Sequence, residues 1–504
     1  MKRLFTLMMT AVTAVTVMAT DYTDKLLVLV NGQGGEQDAT ISVTEHDGLY
    51  DLNLKNFILK DGSSFMPVGN VELTNITPLF DGGVVVLRAN QQVAISEGDQ
   101  EGVDSWMGPL LGQLPVELVA TIDGDQLYAL INLDLTETLG QVIEVRFNKT
   151  FIDGKGIQIP NGDFELWHTS TGSYEEPNAW HSFESATGDY ASLAGHHISK
   201  SDKGRNGSTC ARIYATSMLW GLVVANGTMT TGRMNAGATS ASDKTNNAYI
   251  DMSLTDTDGN GDPFYVALNS RPDSLAVWLQ FKQGKETSDH PYATVSAAIT
   301  DGTYFQDPQD KEYTNIVATA ANRKIEQTPK DEWVRFSMPF EYTENNVKPR
   351  ALLITISTNA DAGQGSANDE VLIDDISLIY NGGLASLNVE GFSPDKYDYT
   401  ASKEMTLDEI KAVANAQGAR VMKALVDDAQ GKRAEITVLS ADLKTCNVYT
   451  IDFPITDGIQ SVPSGSRPAV TYNLNGQQVN SVKAGQVYLI RQSDGKVVKV
   501  SGRR

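Results

Sequence analysis

An all-β chain divided into several barrel and sandwich modules is predicted by three features of the sequence. Short apolar–polar alternations recur along it, Asp-Gly turn signals separate many of them, and long helical spacing is missing. At 504 residues the chain exceeds one core, and roughly 150 residues per domain implies three or four units. Composition and strand pattern place them at 21–150, 158–382, 384–456 and 469–504, with a Ser/Pro/Gly-rich linker over 457–468.

Lys2 and Arg3 precede an apolar stretch from Leu4 to Met18, and Val17-Met18-Ala19 carries the small-residue pattern of a cleavage site. Residues 1–19 therefore read as an export signal. The stretch is too short to span a bilayer, and no later run approaches the ~20 apolar residues of a membrane helix. An exported protein is expected, at the cell surface, outside the cell or in the periplasm. With 40 basic against 63 acidic residues the net charge is −23. No basic cluster could neutralise phosphates, so nucleic acid is a poor partner, and neutral glycans fit better than polyanions. Cys210 and Cys446 are the only cysteines. They read as unconnected thiols, so the fold does not depend on disulfides.

In the first unit Leu127, Ala129, Ile131, Leu133 and Leu135 alternate with Tyr128, Asn132 and Asp134, with one broken step at Leu130. Asp47-Gly48, Asp61-Gly62, Asp81-Gly82 and Asp123-Gly124 are hairpin turns, because Asp and Gly tolerate positive φ. Consecutive hairpins predict an up-and-down sheet, which loses its exposed edges on closing into a barrel. Leu54-Lys55-Asn56-Phe57, the run from Val68 to Ile76, and Gly108-Pro109-Leu110-Leu111-Gly112 resemble the calycin-like β-barrel domain of secreted Bacteroidetes proteins. Calycins often hold a small apolar ligand. The expectation here is an interior filled by its own side chains.

The second unit opens on Asn161-Gly162-Asp163-Phe164-Glu165-Leu166-Trp167 and closes on Val371-Leu372-Ile373-Asp374-Asp375-Ile376-Ser377-Leu378-Ile379-Tyr380. Between them lie short strands rich in β-branched or aromatic residues, such as Ala276 to Phe281 and Ala351 to Ser357, separated by long polar insertions. A jelly-roll sandwich with elaborate loops is predicted. With Arg271-Pro272-Asp273-Ser274-Leu275 and Asp331-Glu332-Trp333, these strings resemble a jelly-roll domain of secreted Bacteroidetes proteins assigned to carbohydrate metabolism. In similar carbohydrate-binding domains, acids at the two ends of the fold ligate a structural calcium. The resemblance thus implies Glu165 with Asp374 or Asp375 as calcium ligands. Alternation in a strand puts those two Asp side chains on opposite faces, so one of them is expected to take part.

Leu384 to Val389, Phe392-Ser393-Pro394 and Tyr397-Asp398-Tyr399 resemble the start of cadherin-like, immunoglobulin-like sandwiches. Within that unit Leu407 to Ala416 has helical spacing and reads as a short helical turn or a distorted strand. After the linker, Leu474-Asn475-Gly476 and Gly485-Gln486-Val487-Tyr488-Leu489-Ile490 resemble the C-terminal tail of type IX secretion cargo, although Ser501-Gly502-Arg503-Arg504 run past its usual end.

No catalytic set is legible. There is no Gly-x-Ser-x-Gly elbow, and sequence cannot set two carboxylates ~5 or ~6.5–9.5 Å apart as glycosidases require. His168 and the pair His196-His197 have no companion at metal-ligand spacing and read as ordinary loop residues. Asp256-x-Asp258-x-Asn260-Gly261-Asp262 imitates half of an EF-hand loop, but Ala267 stands where the bidentate Glu belongs, so a polar turn is expected. Sugars stack on exposed rings, and five of the six tryptophans fall between 160 and 340. Trp180, Trp220, Tyr304, Phe305 and Trp167 are the candidate glycan contacts, while Trp278 and Trp333 are expected in the core. The function these features favour is a non-catalytic carbohydrate-binding protein. A structural or adhesive surface protein and a glycan-cleaving hydrolase are the alternatives.

Overall fold

A computed structural model describes residues 18–454 and 470–501 apart from 32, 62–63, 137–139, 171, 194, 219–222, 258, 287–288, 345–346, 417, 430, 475–476, 480–482, 484–485 and 492–496. Nearly all of the expected export signal, the linker 457–468, Trp220 and the Asn475-Gly476 turn lie outside the described residues.

The first sheet is a meander of β1 (Met18–Val30), β2 (Gln33–His46), β3 (Leu49–Asp61), β4 (Ser64–Ile76), β5 (Pro78–Asp81), β6 (Val84–Ala94), β7 (Gln113–Asp123), β8 (Gln126–Leu135) and β9 (Gln141–Phe147). Its order is β4-β3-β2-β1-β9-β8-β7-β6-β5. The chain bends at Thr77-Pro78, and one continuous stretch changes partner there, from β3 to β6. This curls the sheet round on itself, and an antiparallel bridge between Asn70 and Ser96 adds a stitch across the seam. Alternate residues point inward. Leu26, Ile41, Leu52, Leu73, Leu87, Leu118, Ala129 and Phe147 fill the interior, each almost wholly buried.

The next strands are β10 (Trp167–Thr169), β11 (Glu175–Pro177), β12 (Ile198–Ser201), β13 (Cys210–Tyr214), β14 (Thr228–Thr230), β15 (Arg233–Ala236), β16 (Asn246–Tyr249) and β17 (Asp251–Thr255). They are followed by β18 (Ser274–Lys282), β19 (Ala293–Thr300), β20 (Gln306–Asp307), β21 (Ile316–Ile325), β22 (Val334–Pro339), β23 (Glu341–Tyr342), β24 (Ala351–Ser357) and β25 (Glu370–Ile379). One sheet runs β12-β13-β25-β18-β22 and the other β14-β24-β19-β21-β23. Taking β13, β14, β18, β19, β21, β22, β24 and β25 as first to eighth, the orders are 1-8-3-6 and 2-7-4-5. That is jelly-roll topology, with the first and last strands adjacent (Ala211 opposite Ile373). Val277, Leu279, Phe281, Val295, Ile299, Leu352, Ile354, Ile356 and Ile373 form the core between the sheets.

A smaller sheet, β15-β16-β20, serves the outer side of the second sheet. Ala248, Ile250 and Phe305 pack there against Ala298, Ala351 and Leu353. Every residue of β19 is consequently buried, on both of its faces.

The chain clusters into two compact units, one of Met1–Ser386, Ala412–Met422 and Thr437–Asn447, the other of Leu387–Lys411, Lys423–Ile436 and Val448–Arg504. In the first, β26 (Leu384–Leu387) and β28 (Ala412–Ala414) pair, with β27 (Asp398–Thr400) between them in sequence. The second holds most of the sheet β27-β31-β30-β29, made with β29 (Arg420–Asp428), β30 (Gly431–Leu439) and β31 (Cys446–Asp452). It also holds the three-stranded sheet of β32 (Val470–Asn473), β33 (Val487–Arg491) and β34 (Val497–Ser501). Leu407 to Glu409 form a turn, with the Glu409 carboxylate accepting from the Thr406 N–H at 2.8 Å, before the chain straightens into β28. Cys210 and Cys446 are unbridged. Among the described residues no helix is long and apolar enough to cross a membrane.

Candidate functional site

The opening string of the jelly roll is a docking loop. Asn161, at φ 49°, bonds its side chain to Leu166 N–H (2.9 Å), Leu166 C=O (2.9 Å) and Asn178 C=O (3.0 Å). Gly162 lies flat on β25, its carbonyl accepting from Ile376 N–H at 2.8 Å, and a side chain there would run into the Ile376 carbonyl. Phe164 is buried against Trp180, ring centres 5.3 Å apart. The Trp167 indole N–H donates to the Phe164 carbonyl at 2.6 Å.

This loop delivers the chain into the β10–β11 hairpin, whose register sets His168 directly opposite Glu176. Directly opposed residues project from the same face. Asp256 approaches from the turn after β17, closed by Asp256 N–H to Asp262 C=O (2.8 Å) and Gly261 N–H to Asp256 C=O (2.8 Å). The Asp262 carboxylate accepts from Ala179 N–H at 2.5 Å, tying that turn to the segment after β11. Donor atoms of His168, Glu176 and Asp256 all lie within 4.8 Å of one another, and His181 Nδ1 stands 3.4 Å from Asp256 Oδ2. Glu176 and His181 are fully buried and Asp256 is 3 % exposed. Burial pushes the Glu176 carboxyl up from its usual range, partly offset by the Ser182 hydroxyl that donates to it. Burial also pushes Asp256 up, but the neighbouring His181 and the Gly259 N–H more than offset this, and it sits below the usual range. A raised and a lowered carboxyl side by side resemble an acid–base pair. Buried as they are, these two offer a sugar no approach.

His168 therefore does have companions, contrary to the expectation of an ordinary loop residue. They come from across a hairpin and from a turn some eighty residues on, which linear spacing hides. The expected polar turn at Asp256–Asp262 is present, with Asp258 outside the described residues. His196 takes part elsewhere, stacked on Tyr174 at 4.3 Å, and His197 bonds the Tyr214 carbonyl at 2.9 Å.

The acids expected to hold calcium converge on one loop. Glu165 Oε1 accepts from Thr209 N–H at 2.8 Å. Asp374, 1 % exposed, accepts from Arg205 N–H at 2.8 Å, from Ser208 Oγ at 3.3 Å and from Asp375 N–H at 2.9 Å. Asp375 forms an ion pair with the Arg205 guanidinium. It sits at a β-bulge with φ 45°, where β25 carries one extra residue against β18, so simple alternation fails there. Arg205 brings its positive charge to Asp375, beside these acids.

Of the candidate sugar contacts, Trp180 and Phe305 are corrected to core residues, 0 % and 2 % exposed. Trp180 abuts the polar run His181-Ser182, and that run is itself buried. Trp167 is half-buried. Trp278 and Trp333 are half-buried rather than core, because each faces away from the sandwich interior, with Arg205 covering Trp278. Tyr304 is 50 % exposed. Its ring lies 5.6 Å from Tyr249 and 6.5 Å from Tyr313. The Tyr304 hydroxyl donates to Gln306 at 2.8 Å and the Tyr313 hydroxyl to Asp310 at 2.7 Å. Beside Phe305 a groove of ≈ 210 Å³ is lined by Asp307, Gln309, Arg323 and Ser296. A larger groove of ≈ 480 Å³, lined by Glu175, Lys200, Asp202, Lys203, Arg212 and Glu370, is charged and carries no aromatic ring.

Residues 18–150 match the family model of the calycin-like beta-barrel domain, so the N-terminal domain of the chain is calycin-like. No curated protein matches. A crystal structure from Bacteroides thetaiotaomicron, described as a "putative glycoside hydrolase", aligns at 13 % identity over 68 % of this chain and 86 % of that one, with a TM-score of 0.31. A fructofuranosidase from Schwanniomyces occidentalis complexed with fructose aligns at 8 % identity over 68 % and 79 %, with a TM-score of 0.13. Superpositions this loose carry no weight for activity.

Proposed function

We propose that the protein is exported and binds carbohydrate, without cleaving it, through the tyrosine platform of its jelly-roll domain. The observation behind this reading is Tyr304, half-exposed and flanked by Tyr249 and Tyr313. Exposed rings stack on the C–H faces of pyranoses, while adjacent polar groups fix the hydroxyls. Asp310 and Asn315 stand at the platform, and Asp307, Gln309 and Arg323 line the groove beside Phe305. The net charge of −23 favours a neutral glycan over an acidic one.

The test is a screen of neutral polysaccharides and oligosaccharides with the full chain and with Tyr304→Ala. Binding that weakens about tenfold in the variant, as loss of one stacking ring implies, supports the reading. A chain that binds no glycan is a structural or adhesive spacer instead. Release of sugar from a bound polysaccharide would replace binding by hydrolysis.

A further inference from the structure

We infer that His168, Glu176 and Asp256, with His181 beside Asp256, form a largely buried binding site for one divalent transition-metal ion of the zinc class. The site is independent of the tyrosine platform and stands whether or not a glycan binds.

Each of the four side chains has one polar atom held by the protein and the other left without a partner. His168 Nδ1 bonds the Asn178 side-chain oxygen at 3.1 Å, which makes Nδ1 the donor, and Nε2 has no partner. His181 Nε2 bonds the Pro263 carbonyl at 3.1 Å, likewise as donor, and Nδ1 is unpartnered. Glu176 Oε1 accepts from Ser182 Oγ while Oε2 is orphaned, and Asp256 Oδ1 accepts from Gly259 N–H at 3.1 Å while Oδ2 is orphaned. One imidazole nitrogen and two carboxylates thus come together, and a second imidazole nitrogen, of His181, faces Asp256. Buried polar atoms are rarely left unpaired, and leaving several in one place costs several kcal/mol in total. The outward bonds to Asn178, Pro263, Ser182 and Gly259 are the second layer that orients metal ligands and sets histidine tautomers.

A proton could serve in place of a metal, with an imidazolium facing each carboxylate. His181 does face Asp256 at 3.4 Å, as an ion pair would, but His168 Nε2 and Glu176 Oε2 have no hydrogen-bond partner, so a proton on His181 does not satisfy the cluster. Gly259 adds a steric argument. A Cβ built there would stand 2.7 Å from Asp256 Oδ2 and 2.8 Å from His168 Nε2, so the glycine keeps open the space those two atoms border.

The donor set selects the ion. Calcium prefers six to eight oxygens, whereas imidazole nitrogen together with carboxylate oxygens in a small, enclosed set suits zinc. Three enclosed protein ligands, with His181 next to Asp256, would hold an ion away from any substrate, so a structural role is inferred. It would join the β10–β11 hairpin, the segment after it and the Asp256–Asp262 turn, adding to the bonds Ala179–Asp262 and His181–Pro263.

The experiment uses the full chain, stripped with chelator and returned to zinc or to calcium, with bound metal counted and melting followed. One zinc per chain is expected, with melting raised by about 5 °C at a hundredfold excess over Kd and no response to calcium at the same concentration. Cobalt in place of zinc should give the visible absorption of a tetrahedral site. His168→Ala and Glu176→Gln should each weaken zinc binding at least tenfold. Gly259→Ala, which removes no ligand, should do the same by filling the space, and it guards against a ligand variant that simply fails to fold. Zinc binding that survives all three variants, or a stripped chain whose melting ignores zinc, overturns the assignment.

Discussion

Arg205 holds its guanidinium 3.8 Å above the centre of the Trp278 ring while pairing with Asp375, and its backbone N–H bonds Asp374. Arg205→Ala should lower stability by about 1–2 kcal/mol, most of it from the lost stacking, since Asp375 is 43 % exposed and such a pair is screened. The same arginine would compete with a calcium ion at Glu165, Asp374 and Asp375. Melting curves in chelator and in millimolar calcium should superimpose. A rise with calcium that Glu165→Gln removes would mean that an ion does bind beside these acids.

Asp374 makes stability depend on pH. Burial raises its carboxyl from 3.8 to about 7, against the opposing bonds from Arg205 and Ser208. Between these values the folded chain keeps a proton that the unfolded chain has released. The contribution is therefore fully present below about pH 4, falls as pH rises to about 7, and is gone above. The protein should lose more stability between pH 5 and pH 8 than Asp374→Asn does. Parallel losses in the two proteins would remove Asp374 as the cause.

Gly162→Ala should be among the costliest single changes in the jelly roll. Its new methyl meets the Ile376 carbonyl, a backbone atom of a central strand that cannot step aside. Chemical denaturation should show a loss of about 2–3 kcal/mol. Gly35→Ala, where nothing lies within 4 Å, is the matched control and should change stability by under about 0.5 kcal/mol. Equal effects at the two positions would mean that the Gly162 loop does not need its close approach to β25.

The parts of the fold that obey period-two alternation were readable from the chain alone. Leu127 to Leu135 became β8. The Asn161 string does lie against the Ile376 string, but as a loop rather than as the opening strand, which is β13. Legibility stopped where alternation did. The bulge at Asp375 redirected an acid that a regular strand would have presented differently. Trp180 was misjudged because polar neighbours in sequence suggest solvent, yet His181 and Ser182 are buried with it. The His168 cluster depends on hairpin register and on a distant turn. The one signal that could have exposed it was the short polar run from Ser170 to Tyr174, read as a hairpin that sets residue 168 against residue 176. Helical spacing after Thr406 likewise yielded only one turn before β28.

Strand β19 is a party wall. Val295 and Ile299 belong to the sandwich core on one side, and Ala298 belongs to the cluster with Phe305 and Tyr313 on the other. Neither room can be emptied without disturbing the other, so the tyrosines standing on the outer side share the cooperativity of the whole sandwich. Their rings are held in place before any ligand arrives. Little side-chain entropy is then left to lose on contact, and a modest stacking energy can show up as affinity rather than being spent on ordering a loop.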